Sequence, residues 1–125
     1  MNDKKRHSYK EIIEKYKVYV PVVTEKIYSQ SVDEKGIVTL AVENKGIMNF
    51  IAQKLLKKPR VSYIHLDEVG SFIWQTIDGN ADIENIAERV SEHFKEKVNP
   101  LYERLLKFFE IVESYDFIRW KKPAE

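Results

Sequence analysis

The spacing of apolar residues changes along the chain. Ile27, Ser29 and Ser31 alternate with Tyr28, Gln30 and Val32, and the arm from Ile37 to Val42 is rich in β-branched residues. A two-residue period sends successive side chains to opposite faces of a strand. Between the arms, Asp33-Glu34-Lys35-Gly36 is a connector in which Gly36 can take a positive φ. The pattern predicts a hairpin over 26–43. Val61–His65 is short and β-favouring and predicts a third strand. Between them, Ile47, Phe50, Ile51 and Leu55 fall at helical spacing. They predict a short helix over 47–57, closed by Lys57, Lys58 and Pro59.

Beyond His65 the period lengthens. Val69, Phe72, Ile73 and Ile77 form one stripe, starting behind Asp67 as N-cap and stopping at Asp78-Gly79. Asp82 caps a second helix whose Ile83, Ile86, Ala87, Val90 and Phe94 keep a clear helical period. Asn99-Pro100 predicts the cap and first residue of a third, running to about Tyr115.

Strands followed by helices make an α+β chain. Three helices joined by short turns, packed as a bundle against a small antiparallel three-stranded sheet with an inserted short helix, predict a winged helix-turn-helix-like arrangement. The expected boundaries are a partly ordered lead-in over 1–25, a domain over 26–120 and a tail over 121–125. Pro21 precludes a continuous helix through the lead-in.

Composition narrows the function. The 125 residues suffice for one domain with a single core, and 43% hydrophobic with 33% charged residues suits a folded domain. No apolar run reaches the ~20 residues of a membrane span, and the N-terminus has no apolar signal region. The absence of cysteine removes disulfides, thiolate metal sites and thiol chemistry, and fits a cytoplasmic protein. The net charge of +1 is unevenly spread. Residues 1–60 carry 13 Lys/Arg against 7 Asp/Glu, whereas 82–116 carry 5 against 9.

The stretch Arg60–Gly79 raises the question of chemistry, because it holds His65, Asp67 and Glu68. Asp67 has a capping position, and the other histidines are His7 in the lead-in and His93 beside the second helical stripe. No HExxH pattern, phosphate-cradling glycine loop or nucleophile elbow occurs. These observations predict no enzyme, no metal and no cofactor. Trp74 is expected in the core. Gly70, inside a helix, costs about 1 kcal/mol relative to alanine. Close packing of that helix on the sheet would explain it.

"SYIHLDEVGSFIWQTIDG", then "DIENIAERVSEHF" and "PLYERLLKFFEIVESYDFI", together resemble the PqqD family over roughly residues 26–118. The ordered combination carries the resemblance more than any single motif. Asp116 stands where the family pattern usually has Gly or Asn. The resemblance implies a non-catalytic winged-helix module that binds the leader of a ribosomally made precursor peptide. It also implies presentation of that peptide to a modifying enzyme, often a radical SAM protein. The leader would add as a strand to the sheet edge and lie against the third helix.

Strand addition needs an exposed edge. The expected peptide-binding residues are Arg60, Val61, Ser62, Tyr63 and Ile64 on the edge, with Tyr102, Leu106 and Phe109 on the third helix. That helix has two apolar stripes, Leu101/Leu105/Phe108/Val112 and Tyr102/Leu106/Phe109, and the second is either buried or lines a groove. Arg60, Arg104 and Lys107 are placed to steer acidic leader residues. The alternatives are a winged-helix DNA-binding protein and a general protein–protein adaptor. The third helix is net negative, which disfavours nucleic acid as partner. Open sheet edges allow a monomer or a dimer.

Overall fold

The computed structural model of the chain describes residues 11, 12, 14–43 and 61–122. The helix expected over 47–57, with Lys57, Lys58, Pro59 and Arg60, lies outside these residues, as does His7.

The alternating segments form strands. With β1 at Val20–Val23, the hairpin consists of β2 (Ile27–Val32) and β3 (Val38–Glu43), paired antiparallel. Gly36 takes φ +82°, and Asp33 Oδ1 accepts from the Lys35 and Ile37 amides at 2.8 and 3.0 Å. β4 (Val61–His65) pairs antiparallel with the other side of β3, giving the order β2-β3-β4. As the central strand β3 is the most buried, with Val38 and Leu40 fully inaccessible.

The caps act where the sequence places two of them. α1 (Glu68–Thr76) starts at Asp67, whose Oδ1 accepts from the Gly70 amide at 2.7 Å. α2 (Ile83–Phe94) starts at Asp82, which forms a reciprocal capping box with Asn85. Its five periodic apolar residues are all buried. The third cap differs from expectation. α3 (Leu101–Ser114) follows a 3₁₀ turn over Lys95–Val98, and Pro100 rather than Asn99 occupies the N-cap position, with no side-chain cap bond. Asn99 lies one residue before that cap.

The chain then returns to its beginning. β5 (Ile118–Lys121) pairs antiparallel with β1, setting Val20 opposite Lys121 and Val23 opposite Ile118. Thr24 locks this junction: its amide donates to the Phe117 carbonyl at 2.9 Å and its hydroxyl to the Asp116 carbonyl at 2.6 Å. The described residues therefore form a mixed α/β structure with two small antiparallel sheets and several helices. The expected order of strands first and helices last misses β5, because a four-residue strand is too short to show a period.

α3 ends in a Schellman motif. The Phe117 amide donates to the Val112 carbonyl and the Asp116 amide to the Glu113 carbonyl, each at 2.9 Å, with Asp116 at φ +65°. Glycine reaches that backbone region without its Cβ cost. Asp116→Gly is expected to stabilise the protein by about 0.5–1 kcal/mol, read as a raised thermal midpoint.

One core joins helices and sheet. Trp74, Ile73, Ile86, Leu105, Val90 and Leu40 are its large buried members. α1 also buries Ser71 completely. Its hydroxyl accepts from the Val38 amide at 2.9 Å and donates to the Leu66 carbonyl at 3.3 Å, so one side chain ties the start of β3 and the exit of β4 to the helix.

Two turn carboxylates make the fold acid-sensitive. Asp78 accepts from the Ala81 and Asn80 amides, and these bonds hold its pKa below the ordinary 3.8. Asp33 is lowered likewise, chiefly by its bond from the Ile37 amide. A carboxylate with a depressed folded pKa contributes stability that is complete above the unfolded pKa and is lost as pH falls through the folded one. Stability is expected to drop below about pH 4, and Asp78→Asn to shrink that drop, measured as urea midpoints across the acid range.

Candidate functional site

Where His65, Asp67 and Glu68 sit is set by folding contacts. His65 Nδ1 and Thr39 Oγ1 lie 2.7 Å apart across the β3–β4 pair. Asp67 caps α1, and Glu68 is exposed in its first turn. His93 stacks on Phe72 with centroids 4.2 Å apart and planes at 18°. Among the described residues no group of three or more His, Cys, Asp or Glu is placed to hold a metal ion.

The sheet edge is a different kind of site. Among the described residues no strand pairs with the outer side of β4. The ladder itself shows which backbone groups face outward. The Leu66 amide donates to the Val38 carbonyl at 2.9 Å, and Leu66 follows β4 in register opposite Val38. Antiparallel bonds recur at every second residue. Ile64 and Ser62 therefore turn their backbone groups to Leu40 and Val42 of β3, while Val61, Tyr63 and His65 turn theirs outward. Tyr63 also presents its ring, which is 66% exposed.

α3 lies with a buried ridge inward and two unlike flanks outward. Leu105, Phe109 and Val112 form the ridge. At 100° per residue, Arg104, Lys107, Phe108 and Ile111 fall on one flank. Phe108 reaches the first turn of α1, the segment that β4 runs into, and its Cε1 lies 3.3 Å from where a Gly70 Cβ would sit. Tyr102, Leu106, Glu110 and Glu113 fall on the other flank. Leu106, Phe109, Glu110 and Glu113 line a cavity of about 460 Å³ with Ile12, Tyr16, Tyr19, Ile83 and Trp120.

The expected site residues thus separate. Val61, Ser62, Tyr63 and Ile64 share β4, and Arg60 is outside the described residues. Tyr102 and Leu106 face the lead-in, and Phe109 is only 3% exposed, its ring 5.3 Å from that of Trp120. The aromatic side chain of α3 on the α1 side is Phe108. Sequence reasoning placed Phe108 in the other stripe because it cannot tell which of two adjacent apolar stripes a neighbour will cover.

Gly70 has its reason here rather than in packing on the sheet. A Cβ would lie 2.9 Å from Asp67 Oδ1, the cap atom bound to the Gly70 amide, as well as 3.3 Å from Phe108. Gly70→Ala gains about 1 kcal/mol of helix propensity. It also disturbs a cap worth about 1 kcal/mol and displaces the ring. The net expectation is a lower thermal midpoint, the opposite of what alanine does at an open helical glycine.

Among the described residues no helix is long and apolar enough to cross a membrane. No curated protein and no solved structure matches the chain. A family model described as Coenzyme PQQ synthesis protein D (PqqD) matches residues 37–118. That match starts at the turn of the β2–β3 hairpin, runs through β3, β4 and the three helices, and ends as β5 begins. It spans well over half of the sequence, so the chain belongs to the PqqD family.

Proposed function

We propose that this protein is a non-catalytic, cytoplasmic peptide-binding module of winged-helix type. It holds the leader of a ribosomally made precursor peptide and presents it to a modifying enzyme, with a radical SAM protein as the expected partner. Family membership supports a role in the biosynthesis of a peptide-derived product. The observation that carries the binding mode is the outer side of β4, unpaired by any described strand and bearing the exposed Tyr63. An extended peptide added there gains main-chain bonds to Val61, Tyr63 and His65, and alternate side chains meet whatever lies beside the strand. On the α3 side that neighbour is the flank with Phe108, Ile111, Arg104 and Lys107, which suits a leader with apolar and acidic residues.

The test is a titration of the isotope-labelled protein with the leader of a precursor encoded beside its gene. Amide shifts are expected to concentrate on Val61–His65 and on the Arg104–Ile111 flank. Shifts confined to β2, or none at saturating peptide, would overturn the assignment.

A further inference from the structure

The cavity on the opposite flank of α3 is not used by that reading. Its floor is apolar, built from Ile83 of α2 with Leu106 and Phe109 of α3. Its walls are aromatic. Tyr16 and Tyr19 of the lead-in meet edge to face at 5.2 Å, and Trp120 of β5 meets Phe109 at 5.3 Å. Ile12 and Tyr16 line it yet stay 40% and 39% exposed, so folding leaves apolar surface wet here.

The charged groups of the lining, among the described residues, are the carboxylates of Glu110 and Glu113. Glu113 Oε2 accepts from the Trp120 indole N–H at 2.6 Å, a neutral donor, and makes no ion pair among the described residues. Glu110 makes no hydrogen bond or ion pair among the described residues. Beyond Tyr102 a second recess continues along the same flank, lined by Glu14, Glu84, Glu88 and Glu92. Among the described residues its lining cation is Lys17, paired with Glu14 at 3.1 Å.

We infer that this face docks a segment of a partner protein that inserts one or two apolar side chains into the cavity and sets Lys or Arg beside Glu110 and Glu113. A volume of about 460 Å³ suits anchoring side chains, since ligand sites span roughly 300–1,000 Å³. Carboxylates outnumber cations along this face, where Lys17 is paired with Glu14 and the Lys15 ammonium lies over the Tyr16 ring at 5.4 Å, and that excess favours a basic occupant. The acidic strip continues into the second recess, so the occupant is a polypeptide and not a small cation. The inference rests on the leader-binding reading in one respect: a module that carries a leader to an enzyme needs a second surface, and α3 then serves one partner on each flank.

The experiment uses the full chain and an amphipathic peptide of leucine and lysine with leucines at i and i+4. The controls are its glutamate-for-lysine counterpart and decyltrimethylammonium. The leucine–lysine peptide is expected to saturate, shifting the Ile83 and Leu106 amides and the Trp120 indole resonance. Its affinity is expected to fall at least about tenfold as salt is raised from low to several-fold physiological strength. Glu110→Lys is expected to weaken it about tenfold without lowering the thermal midpoint, because Glu110 makes no described bond.

Equal binding of the glutamate peptide would overturn the charge-based part of the proposal. A response to decyltrimethylammonium alone would make the cavity a small-molecule site. Self-association that protects the same resonances would make the occupant a second copy. Either of these also overturns the proposal. Leader binding is followed at Val61–His65 in the same sample. Loss there with retention at the cavity refutes the leader-binding reading and leaves this one, and the converse refutes this one.

Discussion

Replacing Trp74 with alanine is expected to cost the folded state about 3–5 kcal/mol, the range for deleting a large buried aromatic ring. The ring is 1% exposed and belongs to the cluster of Val38, Leu40, Ile73 and Ile86, the core that α1, α2 and the central strand share. Its indole N–H also donates to Gln30 Oε1 at 3.0 Å. Gln30 sits on β2, an edge strand whose residues after Ile27 are all exposed, so this bond ties that strand to the core in addition to its ladder with β3. Domains of this kind are stable by roughly 5–15 kcal/mol, and the loss takes a large part of that. Trp74→Phe keeps most of the volume and removes the hydrogen bond, for an expected cost of about 1–2 kcal/mol. Urea unfolding followed by circular dichroism separates the two variants. An alanine variant within about 1 kcal/mol of the parent would mean the ring is not part of the core.

Tyr63→Pro is expected to lower leader affinity at least about tenfold while leaving the fold intact. Proline removes a backbone donor, which is tolerated on an edge strand where the N–H faces away from the sheet. The alternation fixed by the Leu66–Val38 bond turns the Tyr63 amide outward, so no β3–β4 bond is lost. Strand addition would lose one main-chain bond and the exposed ring together. The neighbouring substitution Ile64→Pro is expected to do the reverse and damage folding, because the Ile64 amide faces Leu40 of β3. Affinity by calorimetry and stability by thermal unfolding of both variants test the pair. If both proteins bind the leader as the parent does, the β4 edge is not the binding site.

Local elements were legible in the sequence because local chemistry fixes them. The β2–β3 hairpin, the Gly36 turn, the caps at Asp67 and Asp82 and the buried stripe of α2 depend on neighbours a few residues away. Short-range spacing records such contacts directly. Asn99 is a different case, because Asn-Pro suits both a cap and a turn that precedes one, and only the preceding 3₁₀ turn decides between them.

What the amino-acid order determined unaided was the identity and rough extent of the hairpin, of β4 and of three helices, together with the family resemblance they carry. Tertiary structure decided the rest. It brought Val20–Val23 to Ile118–Lys121 across nearly the whole chain, gave Ser71 two bonds to the sheet, and set Phe108 against Gly70. It also rotated α3 so that Phe109 is buried while Leu106 lines the cavity beside the lead-in. A helix with two adjacent apolar stripes has near-equal ways to turn, and the choice is made by the surfaces that pack on it. Those surfaces come from residues far away in sequence, so no periodicity within the helix records the outcome.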